Sequence, residues 1–324
     1  MRKLLVIFFA ITFSLFLAAC SGGSNNDDAS EKNTDTNEEG SAETIEVRHE
    51  LDSNVVEVPK NPEKVAVFDI GSLDTIASLG EQDRVVGLPQ ATIPAYLSEF
   101  TDEKYENFGS LKEPDFEKIH ASNPDLIIIT GRQMELYDQF KEIAPTIYLD
   151  IDTHNYLGSF EKNATLLGEI FDKEDEVASK LDELNEQVDG IKEEVSKTDD
   201  TALIVLGTEG KVSAYGPASR FGIIHDVFGV TPADANIEES THGQSITFEY
   251  ILETNPDIIY VIDRDSAIGM ESSVKESFEN DIVQKTDAYQ NDRILYLDGE
   301  IWYLAGGGLQ SLSMMIDEIS ETIK

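Results

Sequence analysis

A seventeen-residue segment occurs twice in this chain and dictates a fold of two related halves. Residues 116–132 read FEKIHASNPDLIIITGR, and residues 248–264 read FEYILETNPDIIYVIDR. At a constant offset of 132, Phe, Glu, Ile, Asn-Pro-Asp, Ile and the final Arg recur. Each copy has the pattern of a helix, a turn at Asn-Pro, an apolar strand and an arginine just past the strand's C-terminal end. Two α/β units in one chain are the simplest account.

The flanking pattern agrees. Strands are expected at 64–69, 84–88, 125–130 and 146–149, then at 202–206, 258–262 and 294–297. Helices are expected at 72–79, 114–121, 134–143, 221–228 and 309–323. Short apolar runs alternating with helices point to mostly parallel sheet covered on both faces. Between the halves, Val177, Leu181, Leu184, Val188, Ile191 and Val195 form a one-face helical stripe over 174–197. Such a helix is about 36 Å long at 1.5 Å per residue. A coiled-coil dimer would also show a stripe, but fewer than four heptads between two α/β segments favour a helix laid across both lobes. The expectation is two Rossmann-like lobes, 45–157 and 199–324, joined through a helical connector at 158–198.

The chain opens with Arg2 and Lys3, then an apolar run over 4–16 interrupted only by Thr12 and Ser14. That run is short for a membrane span and reads as a signal peptide, residues 1–19. Leu17-Ala18-Ala19-Cys20 has the form of a bacterial lipobox, which would make Cys20 the lipidated first residue of the mature chain. Plain secretion with an unmodified cysteine is the alternative. Cys20 is the single cysteine, so an intrachain disulfide and a cysteine-based metal site are both excluded. Residues 20–44 are polar and acidic and read as a tether rather than a domain.

Charge narrows the function classes. With 64 Asp and Glu against 24 Lys and Arg, the formal net charge is −40. Phosphate binding needs a dense basic surface, so nucleic acid is excluded as a partner, as is adsorption to anionic lipid through a basic patch. In such a chain arginines are conspicuous: outside the leader there are Arg48, Arg84, Arg132, Arg220, Arg264 and Arg293. Ligands of open α/β sheets bind outside the carboxyl ends of the strands, where the repeat puts Arg132 and Arg264. Arg220 lies in the loop GPASRFG. For any single arginine, pairing with one of the many carboxylates is the plainer alternative. Their position and repetition favour anion recognition, for which the planar guanidinium is suited.

His242, in Ser-Thr-His-Gly, and Tyr303, beside Trp302 in Ile-Trp-Tyr-Leu, are candidate ligands for a hard ferric ion; a surface histidine and wall-packing aromatics are the plainer alternatives. Gly306-Gly307-Gly308 reads as a flexible lead-in to the last helix, with amides free to face an anion. His49, His120, His154, His225 and His242 are scattered rather than grouped as a metal set, and no G-x-S-x-G elbow occurs.

Together, the lipobox, EPDFEKI, NPDLIIITGR, GPASRFGIIHD, STHGQSI, NPDIIYVIDR and WYLAGGGLQSL resemble the ferric-siderophore-binding lipoproteins of ABC importers. The likeness spans about 44–324 and is strongest to the catecholate branch, which includes petrobactin-binding receptors of Gram-positive bacteria. Ile301 departs from relatives that often carry another aromatic there. The resemblance implies the class III substrate-binding-protein fold and a binding rather than catalytic role, with no cofactor. It implies that Arg132, Arg220 and Arg264 hold an anionic ferric complex beside Trp302. His242 and Tyr303 would complete the iron's coordination when the siderophore is tetradentate. It also implies a monomer anchored through Cys20 at the outer face of the cell membrane, docking a permease and its ATPase through Glu117 and Glu249. Haem or corrinoid capture is the neighbouring alternative, and a siderophore-ester hydrolase the alternative from another class.

Overall fold

A computed structural model describes residues 43–323; the leader, Cys20 and almost all of the expected tether lie outside the described residues. Strands β1 (Thr44–Val47) and β2 (Val56–Pro59) form an antiparallel ribbon. The first sheet comprises β3 (Val65–Val67), β4 (Val85–Leu88), β5 (Glu106–Asn107), β6 (Leu126–Ile129) and β7 (Thr146–Tyr148). Its order is β5-β4-β3-β6-β7, and all its pairings are parallel. The second sheet comprises β8 (Thr201–Thr208), β9 (Lys211–Tyr215), β10 (Thr231–Pro232), β11 (Gln244–Ile246), β12 (Ile258–Asp263) and β13 (Ile294–Leu297). Its order is β11-β9-β8-β12-β13, with β10 alongside the start of β8.

In each sheet the chain builds outward on one side of a strand and then returns to its other side. The two points of reversal lie between β3 and β6 and between β8 and β12. These are the places where open α/β sheets leave a crevice at the strands' carboxyl ends. The second sheet is mostly parallel, as expected, with an antiparallel edge: β9 runs antiparallel to β8 and β11 antiparallel to β9. A two-residue turn at Glu209-Gly210, both at positive φ, produces that hairpin.

The repeated Asn-Pro-Asp has the same structural task in both halves. Helices Phe116–Ser122 and Phe248–Thr254 each end at an asparagine in the left-handed region, Asn123 at φ 49° and Asn255 at φ 44°. Asparagine tolerates that conformation better than most residues, and the following proline prevents the helix from continuing. The aspartate then caps the start of the neighbouring strand's segment. Asp125 accepts from the amides of Glu63 and Lys64 at 3.0 Å, and Asp257 accepts from Thr201 N at 2.8 Å.

The connecting helix spans Glu174–Val195, 22 residues. Its base is tied to the first half by Lys60–Asp172 (2.5 Å) and Lys173–Glu81 (3.2 Å). Val177, Leu184, Val188 and Ile191 are buried in a core shared with β8 and β12. Exposed ion pairs contribute about 1 kcal/mol at most, so the apolar stripe fixes this helix. A preceding helix, Tyr156–Ile170, occupies the first part of the expected helical connector. Its first turns pack with the second half's core and its last with the first half's. The expected helix at 134–143 is divided into a tight turn, Gly131–Leu136, and a short helix, Tyr137–Lys141. Among the described residues no helix is long and apolar enough to cross a membrane.

The glycine triplet is not a flexible lead-in. Gly307, at φ 103°, and Gly308 lie flat against helix Ile70–Ser78, and a methyl group on Gly308 would collide with the Asp74 carboxyl. Asp74, fully buried, accepts from Gln310 N (2.8 Å), Ser311 N (2.6 Å) and the Tyr96 hydroxyl (3.0 Å). A carboxylate from the first half thus caps the terminal helix Leu309–Ser320, satisfying amides that would otherwise be orphaned. The anion facing these amides is part of the protein. Replacing Asp74 with Ala should lower unfolding free energy by at least about 1–3 kcal/mol, with Asp74→Asn milder because it keeps one acceptor. Urea unfolding checks this; an unchanged midpoint for Asp74→Ala would contradict the cap.

Candidate ligand-binding site

Three arginines converge on one tyrosine. Arg132 follows β6 on a turn fixed by Gln133, whose side chain accepts from Thr130 N (3.2 Å) and donates to Leu111 O (2.5 Å). From there Arg132 Nη2 donates to the Tyr303 carbonyl at 3.3 Å. Arg220 lies in the loop before Ile223–Asp226, a helix shorter than the expected 221–228. Asp226 accepts from Ala218 N (2.6 Å), and Ser219 Oγ donates to Gly216 O (2.5 Å), so the loop is pinned at both ends. Arg220 Nη2 donates to the same Tyr303 carbonyl at 2.6 Å, and its guanidinium carbon lies 4.2 Å from the Tyr303 ring centre.

Arg264 begins the turn after β12. Its Nε donates to the Tyr303 hydroxyl at 3.1 Å and its Nη1 to Thr208 Oγ1 at 3.2 Å. Thr208, at the end of β8, in turn donates to the buried Asp265 at 2.7 Å. Arg264 therefore bridges the point of reversal between β8 and β12. Thr208 and Asp265 were not singled out from sequence; Asp265's adjacency to Arg264 was the only signal available.

The electrostatics follow from this packing. Desolvation lowers Arg220's pKa, and the neighbouring Arg132 charge lowers it further. The hydrogen bond to Tyr303 raises Arg264's. Partial burial pushes Tyr303's phenol up, but Arg264's hydrogen bond and the charges of Arg220 and Arg264 outweigh it, leaving the phenol below its ordinary 10.0. All ten other tyrosines are pushed the opposite way, in nearly every case chiefly by burial. A cationic site with a phenol held below its ordinary range suits a multiply anionic ligand or a hard cation wrapped in one. A near-ultraviolet pH titration should show one tyrosinate forming ahead of the rest and lost in Tyr303→Phe. A first step that persists in that variant would overturn the assignment.

The remaining candidates make none of these contacts. Trp302 is 3% exposed in the core, its Nε1 donating to Glu318 at 2.7 Å, so it backs the site without facing the arginines. His242 is exposed on a loop, with its backbone held by Ser240; the next residue, Gly243, packs against the ring of Tyr215. Glu117 and Glu249 are exposed in the first turns of the two repeated helices. Among the described residues no three His, Cys, Asp or Glu side chains group as metal ligands.

Fold and site together define a bilobal solute-binding protein. The family model for periplasmic binding proteins matches residues 65–301, and the chain belongs to that family. It is 48% identical to the petrobactin-binding protein YclQ of Bacillus subtilis over 324 residues, the full length of both chains. The crystal structure of YclQ superposes with a TM-score of 0.85 at 52% identity, covering 87% of this chain and 99% of that one. The catecholate-siderophore-binding protein VctP of Vibrio cholerae matches with a TM-score of 0.80 at 33% identity, covering 86% and 100%. BauB, solved with two molecules of acinetobactin and ferric iron, matches with a TM-score of 0.80 at 31% identity, covering 87% and 99%.

Proposed function

We propose that this protein is the substrate-binding component of an ABC importer, capturing an anionic ferric siderophore of the catecholate, petrobactin-like type and delivering it to a membrane permease for iron uptake. The convergence of Arg132, Arg220 and Arg264 on Tyr303 carries this reading. Tyr303 answers the three guanidinium groups with neutral oxygens and a ring face only, so their positive charges stay uncompensated by it, and catecholate oxygens around iron supply the matching anion. The names of YclQ, VctP and BauB support the same ligand class. Iron here is cargo held by the siderophore. Where a tetradentate siderophore leaves positions open, Tyr303 and His242 complete the coordination. The chain acts as a monomer, is lipidated at Cys20 at the outer face of the cell membrane, and presents Glu117 and Glu249, one from each repeat, to its permease.

Trp302, the only tryptophan, adjoins Tyr303, so its fluorescence reports binding. Titration with ferric petrobactin, a ferric trihydroxamate and haem should give the tightest quenching with ferric petrobactin. Arg132→Ala, Arg220→Ala and Arg264→Ala should each weaken that binding by about 1.5–3 kcal/mol, the worth of a charge-assisted hydrogen bond. Tightest quenching by haem would favour a haem receptor and overturn the reading, and unchanged affinity in all three variants would remove the arginines from the site.

A further inference from the structure

The correspondence between the two halves continues one residue past the arginines. At the same offset of 132, Gln133 follows Arg132 and Asp265 follows Arg264. Gln133 is fully buried and Asp265 is 4% exposed. Buried polar side chains must find partners, and each of these ties its turn to a neighbouring loop of its own half. Gln133 accepts from Thr130 N at 3.2 Å and donates to Leu111 O at 2.5 Å. Asp265 accepts from Thr208 Oγ1 at 2.7 Å through one carboxylate oxygen and from Glu209 N at 2.6 Å through the other.

The two ties differ in what they do to the arginine. Gln133 bonds backbone groups, which fixes the turn and leaves the guanidinium alone. Arg132 is exposed, and its bond to the Tyr303 carbonyl at 3.3 Å is its one side-chain hydrogen bond among the described residues. Asp265 reaches the guanidinium itself, its Oδ1 lying 3.5 Å from Arg264 Nη1. It also orients Thr208. A carboxylate can only accept, so the Thr208 hydroxyl proton goes to Asp265 and the hydroxyl oxygen is left as an acceptor for Arg264 Nη1, at 3.2 Å. With Nη1 held there, Nε meets the Tyr303 hydroxyl at 3.1 Å.

Resting on the function proposed above, we infer that Thr208, oriented by Asp265, is a positioning residue for ligand capture: it holds Arg264 as the fixed member of the three arginines before any ligand arrives. A guanidinium already fixed loses little side-chain freedom when an anion binds, so its bonds to that anion are not offset by the cost of ordering it. Two copies of one repeat thus supply arginines of unequal freedom, and the residue after each arginine makes the difference.

The test compares Thr208→Val, which keeps the shape and removes the hydroxyl, with Thr208→Ser, which keeps the hydroxyl. The first readout is the near-ultraviolet pH titration, which needs no ligand. Burial pushes the Tyr303 phenol up, and Arg264's hydrogen bond is foremost among the influences that bring it down. Thr208→Val should therefore move the Tyr303 step upward, and Thr208→Ser should leave it in place. The second readout is fluorescence titration with ferric petrobactin. Thr208→Val should bind about five- to tenfold more weakly than the wild-type protein, and Thr208→Ser within about twofold of it. Urea unfolding identifies a variant whose fold is damaged, and Thr208→Ala takes the place of Thr208→Val if that variant fails. A Tyr303 step that stays put without the hydroxyl overturns the positioning of Arg264. A step that moves while affinity does not overturns its part in capture, and Thr208→Ser behaving like Thr208→Val overturns the hydroxyl as the cause. Failure of the wild-type protein to bind ferric petrobactin overturns the siderophore reading, whereas the ligand-free titration still decides whether Thr208 positions Arg264.

Discussion

Like charges crowded together repel, and at the convergence of Arg132, Arg220 and Arg264 one residue, Tyr303, makes contacts with all three. Its carbonyl accepts from Arg132 and Arg220, its hydroxyl accepts from Arg264, and its ring lies under Arg220. Each arginine arrives from a different element and a different loop. The site is therefore preorganised by one residue on the terminal segment, and an anion entering it meets donors already aimed inward rather than free side chains that must be ordered. The lowered phenol pKa is the counterpart of that arrangement.

The terminal segment holds Tyr303 in place because both halves grip it. Ala305 is buried in the first half's core while Trp302 is buried in the second's. Asp74 reaches across to cap the last helix, and Gly71 and Gly307 approach too closely for any side chain. With the long helix Glu174–Val195 fixed along its apolar stripe, these contacts tie the two halves together beside the crevice. Arg132 comes from the first half and Arg264 from the second, so any movement of one half against the other alters their spacing directly.

The repeat made the architecture legible because it combines short-range signals: an asparagine able to close a helix, a proline that prevents continuation and an apolar strand. The placement of Arg132 and Arg264 followed from it. What stayed hidden was set by contacts distant in sequence. Asp74 lies more than 230 residues from the amides it caps, and within helix Ile70–Ser78 nothing local marks it as anything but a surface acid. The same holds for the glycine triplet, whose composition suggests freedom although its surroundings demand the absence of side chains. Trp302 was grouped with Tyr303 by adjacency, yet successive residues on a helical turn point in different directions, and only Tyr303 turns to the arginines. The antiparallel strands β9 and β11 are short and part polar, so their pairing is decided by β8 rather than by their own pattern.

The net charge of −40 belongs to the exterior, and against it the arginine crevice is a local exception. On the proposed function, an anionic ligand would approach against the general field and be held by the three guanidinium groups at contact, where screening is weakest. Iron anomalous diffraction from crystals grown with ferric petrobactin tests this most directly. The account predicts a single iron peak beside the Tyr303 hydroxyl, with catecholate oxygens on Arg132, Arg220 and Arg264. An iron peak elsewhere on the protein, or a bound complex that leaves the three arginines on Tyr303 alone, would contradict it.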